Sequence, residues 1–88
     1  MEWADLWNAM EKAPEKWHRT TRKMYWHMLE VLWPARWIGS AFMVGEPYGN
    51  INGRYCHAAF KQTGKTYWAR YMTMQEFEET FKGGKELA

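Results

Sequence analysis

The chain has 88 residues, which suits one domain and leaves no room for a second core, since so short a chain buries only about 60 to 65% of its unfolded surface. With 47% apolar and 25% charged residues it lies far from the composition of disorder. Its formal charge of +2, twelve Lys and Arg against ten Asp and Glu, is too balanced for a whole-molecule affinity for nucleic acid.

The first periodic segment is Trp3, Leu6, Trp7 and Met10, spaced i, i+3, i+4 and i+7 along one helical face, with Glu2 and Asp5 in the first turn where the helix dipole favours acid. Pro14 ends it, because proline disfavours helical geometry in the residue before it and donates no backbone hydrogen bond. Thr20 or Thr21 can cap a second helix, whose apolar stripe is Met24, Tyr25, Met28, Leu29 and Leu32 and which Trp33-Pro34 closes.

From Trp37 the period changes. Ile38 to Val44 reads as a strand, Glu46 to Gly53 as a loop ending in the turn signal Asn52-Gly53, and Arg54 to Lys61 with Lys65 to Met72 as a hairpin around Thr63-Gly64. That loop sets Cys56 against Tyr71, Ala58 against Ala69 and Phe60 against Tyr67 on one face. On the other it sets Tyr55 against Met72, His57 against Arg70 and Ala59 against Trp68. Thr73 and Glu76 form a capping box for a last helix carrying Met74, Phe77 and Phe81, which Gly83-Gly84 stops. The expected fold is therefore α+β: two N-terminal helices, a three-stranded antiparallel β-sheet and a C-terminal helix, in one compact domain over residues 1–88.

Several patterns resemble chemistry without supporting it. Ala59 to Thr66 fits a permissive P-loop, but the residues after Lys65-Thr66 are strand formers, whereas a working P-loop needs a helix N-terminus there and a surrounding nucleotide domain. Cys56 and His57 are neighbours in a strand and point to opposite faces, so they cannot form a dyad with each other. One Cys and three His, at 18, 27 and 57, have no metal-ligand spacing. We expect no enzyme, no cofactor and no metal.

What remains is an excess of large rings. Trp3, Trp7, Trp17, Trp26, Trp33 and Trp37 all precede residue 38, more indole than a domain this small can bury, and exposed aromatics on a small protein mark a partner surface or a homodimer contact. The expected protein-partner contacts are Tyr55, His57, Trp68 and Arg70 on a hairpin face open to solvent, with Tyr48 and Asn50 in the preceding loop; the converse is that this face packs under the helices and the Tyr67, Tyr71 and Phe60 face is the exposed one. The alternative is a nucleic-acid module built on the basic stretch Lys16, Arg19, Arg22 and Lys23 with Trp17 and Trp26.

The run Met24 to Leu32, then Gly45-Glu46-Pro47, then Ala69-Arg70-Tyr71-Met72-Thr73 with Phe77, resembles a family of uncharacterised small proteins from phages, plasmids and other mobile elements. It covers about residues 24–77. Gly49-Asn50 stands here where a His-Asn pair is associated with the loop after Gly-Glu-Pro. The resemblance brings no catalytic residues; it implies a mobile-element accessory protein that blocks a host protein complex, such as an anti-CRISPR inhibitor of a CRISPR effector.

No N-terminal stretch has the layout of a secretion signal, and Trp37 to Gly45, the longest nearly uncharged run, is about half of what a membrane-spanning helix needs. With Cys56 as the single cysteine, we expect a cytoplasmic location, that of the host cell for a phage-encoded protein, and no membrane partner.

Overall fold

A computed structural model describes residues 2–31 and 34–82. The element order is helix α1 (Trp3–Lys12), strand β1 (His18–Thr20), helix α2 (Arg22–Val31), strands β2 (Pro34–Ile38), β3 (Ala41–Ile51), β4 (Arg54–Thr63) and β5 (Thr66–Met72), then helix α3 (Met74–Phe77). The last helix continues as a π-helical turn over Glu78–Lys82. All the strands join one antiparallel sheet in the order β1-β5-β4-β3-β2.

This five-stranded sheet corrects the expected three-stranded one. The class remains α+β, but the two strands missed are both edges of the sheet. β1 is three residues long and pairs His18, Arg19 and Thr20 with Ala69, Trp68 and Tyr67, between the two N-terminal helices. The strand expected over Ile38 to Val44 is broken at Gly39-Ser40, where Gly39 has φ +60° and the chain folds back: Ile38 ends β2, which begins at Pro34, and Ala41 opens β3. β3 then runs through the expected loop to Ile51. Pro47 fits because the ladder to β4 is irregular on both sides of it, and a strand proline is confined to such bulges or edges.

Elsewhere the expected signals hold in outline. α1 stops two residues before Pro14, at Lys12. The hydroxyl of Thr21 accepts the amide of Met24 at 3.1 Å, capping α2. Asn52 and Gly53 turn β3 into β4 with φ of +53° and +77°, the doubly positive geometry that the Asn-Gly pair tolerates. The β4–β5 turn lies one residue later than expected, at Gly64-Lys65, so Tyr71 pairs with Ala58 rather than Cys56. That changes the partner of every residue but the face of none, since an even shift in pairing preserves the two-residue alternation. The capping box at Thr73 and Glu76 is present in both directions. Trp33, Leu32 and Gly83-Gly84 lie outside the described residues.

Both faces of the sheet are covered. On the first, Leu6 and Met10 of α1 and Met24, Tyr25 and Met28 of α2 bury Phe42, Val44, Cys56, Ala58, Phe60, Ala69 and Tyr71. Phe42 and Phe60 stack at 5.2 Å in its centre. On the second, Phe77 and Phe81 bury Ala41, Met43, Ala59 and Met72, with Trp17 and Ile38 at the margin. The open side expected for the hairpin is thus closed by the chain's own C-terminal helix and by Trp17, which meets Phe81 edge-on at 5.9 Å.

Phe60→Ala should lower the unfolding free energy in urea by about 3 to 5 kcal/mol, the cost of a phenyl-sized cavity in a packed core. Burial, and then Glu11, Tyr48 and Cys56, hold the Tyr71 hydroxyl up at about 12, against an ordinary value of 10.0. The unfolded chain therefore loses this proton first, and stability should fall as pH rises from 10 towards 12. Urea melts of Tyr71→Phe should show less of this alkaline loss than the parent; an identical decline in both would contradict it.

Candidate binding surfaces

The expected contact residues divide into two groups. His57, Trp68 and Arg70 are half-buried and already engaged. The ring Nδ1 of His57 lies 2.9 Å from the carbonyl oxygen of Val44, which makes it the donor. The indole N–H of Trp68 donates to the hydroxyl of Thr63 at 2.7 Å. Arg70, with only 14% of its side chain exposed, reaches Glu76 at 3.5 Å and lies 5.8 Å over the ring of Trp17. Burial lowers the pKa of Arg70 and the carboxylate of Glu76 opposes that shift. Arg70 thus belongs to the contact between sheet and C-terminal helix, whereas His57 and Trp68 bond within the sheet.

Glu76 organises that contact. Its Oε1 accepts the backbone amide of Thr73 at 3.1 Å and also meets Arg54 at 3.1 Å, while its Oε2 meets Arg70. One carboxylate thus starts the last helix and ties it to β4 and β5.

Tyr48, Asn50 and Tyr55 form the other group. Beyond Val44 the β3–β4 hairpin projects as an arm in which residues 45–48, 50 and 52–55 are exposed. Tyr55 pairs with Asn50 across the arm and is 70% exposed, the highest value of any large apolar side chain described. The arm is braced on both sides. Trp7 stacks on Tyr48 at 4.8 Å, and Arg54 is held by Glu76. Partial burial raises the pKa of Tyr48.

Among the described tryptophans none is fully buried. Trp3, Trp7, Trp17 and Trp68 are half-buried, whereas Trp26 is 43% and Trp37 48% exposed. Trp37 leans on Phe42 at 5.1 Å and Trp26 stands edge-on to Tyr25 at 5.8 Å, so both lie at the rim of the first core.

The basic residues also separate. Arg36, Arg54 and Arg70 each face a carboxylate of the last helix, Glu78 or Glu76, at 3.1 to 3.5 Å. Lys61 is buried with its ammonium 4.3 Å over Trp17, so that ring is occupied on its sheet side. Lys16, Arg19, Arg22 and Lys23 are exposed, and none of them has an ion pair among the described residues. Arg19 and Arg22 line an open cleft of about 530 Å³ together with Gln62, Lys65, Thr66 and Tyr67. Lys65 was not singled out from sequence. Only the pairing of β1 with β5 brings the β4–β5 turn beside the basic stretch, and a three-residue edge strand has no periodic signature.

No catalytic arrangement emerges among these side chains. Cys56 is buried on the first face with its thiol directed to the Arg54 carbonyl at 3.8 Å, while His57 bonds on the second. Among the described residues no group of three His, Cys, Asp or Glu side chains could hold a metal ion, and no helix is long and apolar enough to cross a membrane. Lys65-Thr66, in the P-loop-like stretch, opens a strand rather than a helix.

Removing the Glu76 carboxylate in Glu76→Ala should cost about 1 to 2 kcal/mol in urea unfolding, because a cap and two ion pairs go together. Tyr55→Ala should stay within about 0.5 kcal/mol of the parent in the same measurement. Comparison of the chain with protein-family models, with curated proteins and with solved structures finds no match.

Proposed function

We propose that the chain is a non-enzymatic binding protein that captures another protein with its β3–β4 arm, Tyr55 and Asn50 making the principal contacts and Tyr48 their support. The observation that carries this reading is the exposure of Tyr55 at 70% on a hairpin held from both sides. A tyrosine presents a large amphipathic surface with few rotatable bonds, and a rigid mount spares the ordering cost that a flexible loop would incur on binding. His57, bonded to the Val44 carbonyl where the arm leaves the sheet, contributes indirectly by fixing its root.

The more specific role is that of an inhibitor encoded by a phage or other mobile element that occludes a host defence complex, for which a CRISPR effector is the leading partner class. It rests on the resemblance of residues 24–77 described above and on the engagement of His57, Arg70 and Glu76 in hydrogen bonds and ion pairs that hold the fold. Self-association through the same arm is the competing occupant.

A second reading, a nucleic-acid module, is favoured by one observation. The exposed cations Lys16, Arg19, Arg22 and Lys23 have no carboxylate partners among the described residues, and Arg19 and Arg22 converge on one cleft.

Affinity capture from host lysate with the parent chain and with an Asn50→Ala, Tyr55→Ala variant tests the leading reading. The parent should retain a partner that the variant loses, with thermal melts by circular dichroism nearly superimposable. Equal capture by both chains would contradict the assignment to the arm, and a concentration-dependent dimer abolished by the variant would identify a second copy as the occupant.

A further inference from the structure

The cleft lined by Arg19, Arg22 and Lys65 lies at the opposite end of β4 from the arm, next to Gln62 and the Gly64-Lys65 turn. Its cations come from three separate elements: Arg19 from β1, Arg22 from the first turn of α2 and Lys65 from the β4–β5 turn. No acidic side chain is among its described lining residues, which otherwise bring the hydroxyls of Thr66 and Tyr67 and the amide of Gln62. Bringing like charges together without a counter-charge costs free energy, and three other arginines of this chain avoid that cost by pairing with Glu76 or Glu78. Among the described residues no carboxylate neutralises the convergence of Arg19, Arg22 and Lys65.

The surroundings narrow the kind of anion. Tyr67, in the cleft wall, touches Tyr25 at 4.8 Å, and Trp26 stands edge-on to Tyr25 at 5.8 Å with 43% of its surface exposed. Trp26 also follows Arg22 by four residues on α2, which puts the two side chains on one helical face about 5 to 6 Å apart at Cβ. A cation cluster beside an exposed indole is the pairing that holds single-stranded nucleic acid, the cations tracking phosphates and the ring stacking on a base. An acidic peptide would use the charge but leave the indole idle.

We propose that this cleft binds the backbone phosphates of single-stranded nucleic acid through Arg19, Arg22 and Lys65, with a base stacked on Trp26. The site is independent of the arm, so either assignment can fail without the other.

The test is fluorescence anisotropy of a labelled oligothymidylate of about twelve nucleotides, titrated with the full chain between about 50 and about 200 mM salt. Three phosphate contacts at roughly 0.7 each predict a log–log salt slope near −2, so affinity should drop roughly fifteen- to twenty-fold over that range. Each of Arg19→Ala, Arg22→Ala and Lys65→Ala should lower the slope by roughly 0.7. Trp26→Ala should weaken binding by about five-fold or more and leave the slope alone. Asn50→Ala with Tyr55→Ala should change nothing. Absence of binding at about 50 mM salt, or unaltered slopes in the three cation variants, would overturn the proposal. So would equal displacement of the oligonucleotide by polyglutamate or by pyrophosphate at matched charge, since the ligand would then be an acidic peptide or a free phosphate.

Discussion

The short pairing of β1 with β5 determines more of this molecule than its three residues suggest. Alternation along a strand sends successive side chains to opposite faces. With His18 and Thr20 directed to the helix-covered face, Trp17 and Arg19 go to the other. Trp17 then meets Phe81, Lys61 and Arg70 and completes the second core, and Arg19 comes to lie beside the β4–β5 turn. Without that pairing the second core would lose Trp17 from its margin and the basic stretch would be a solvated connection between two helices.

Covering both faces changes what the surface can offer. A three-stranded sheet with helices on one side presents a broad platform, the arrangement anticipated for Tyr55, His57, Trp68 and Arg70. In the five-stranded sheet the middle of that platform is interior; Arg70 ties the sheet to the last helix, and Trp68 is bonded within the sheet to Thr63. Exposed aromatic and basic side chains lie instead where the chain departs from the layers: the β3–β4 arm beyond Val44, the rim with Trp26 and Trp37, and the cleft at the other end of β4.

What could be read from sequence follows the length scale of each signal. Helical stripes such as Leu6 with Met10, or Met24 with Met28, repeat often enough to be seen, and so do the caps at Thr21 and Thr73. The Asn52-Gly53 turn needs only two residues because positive φ restricts their identity so sharply. Face assignment survived an error in the β4–β5 turn because the pairing shift was even. Edge strands were illegible for the opposite reason. β1 is too short to show a period, and Gly39-Ser40 looked like small strand residues until the pairing of Ile38 with Ala41 closed the turn. The candidate cleft inherits that gap, since Arg19 and Lys65 are far apart in sequence and meet only through β1 and β5. The arm is legible only in its turn at Asn52-Gly53: the segment from Glu46 reads as a loop and Tyr55 as part of an open face, and the structure makes them a braced hairpin.

The account turns on Trp17 crossing to the second face of the sheet. Proton NMR of the full chain tests this directly, through cross-peaks between the Trp17 indole and the Phe81 ring and between the backbones of His18 and Ala69. Both sets should be present, since the rings lie 5.9 Å apart and the two residues are register partners. Finding Trp17 connected only to residues of α1 and α2, with no cross-strand signal at Ala69, would show that β1 does not join the sheet and contradict the placement of Arg19 on which the proposed cleft depends.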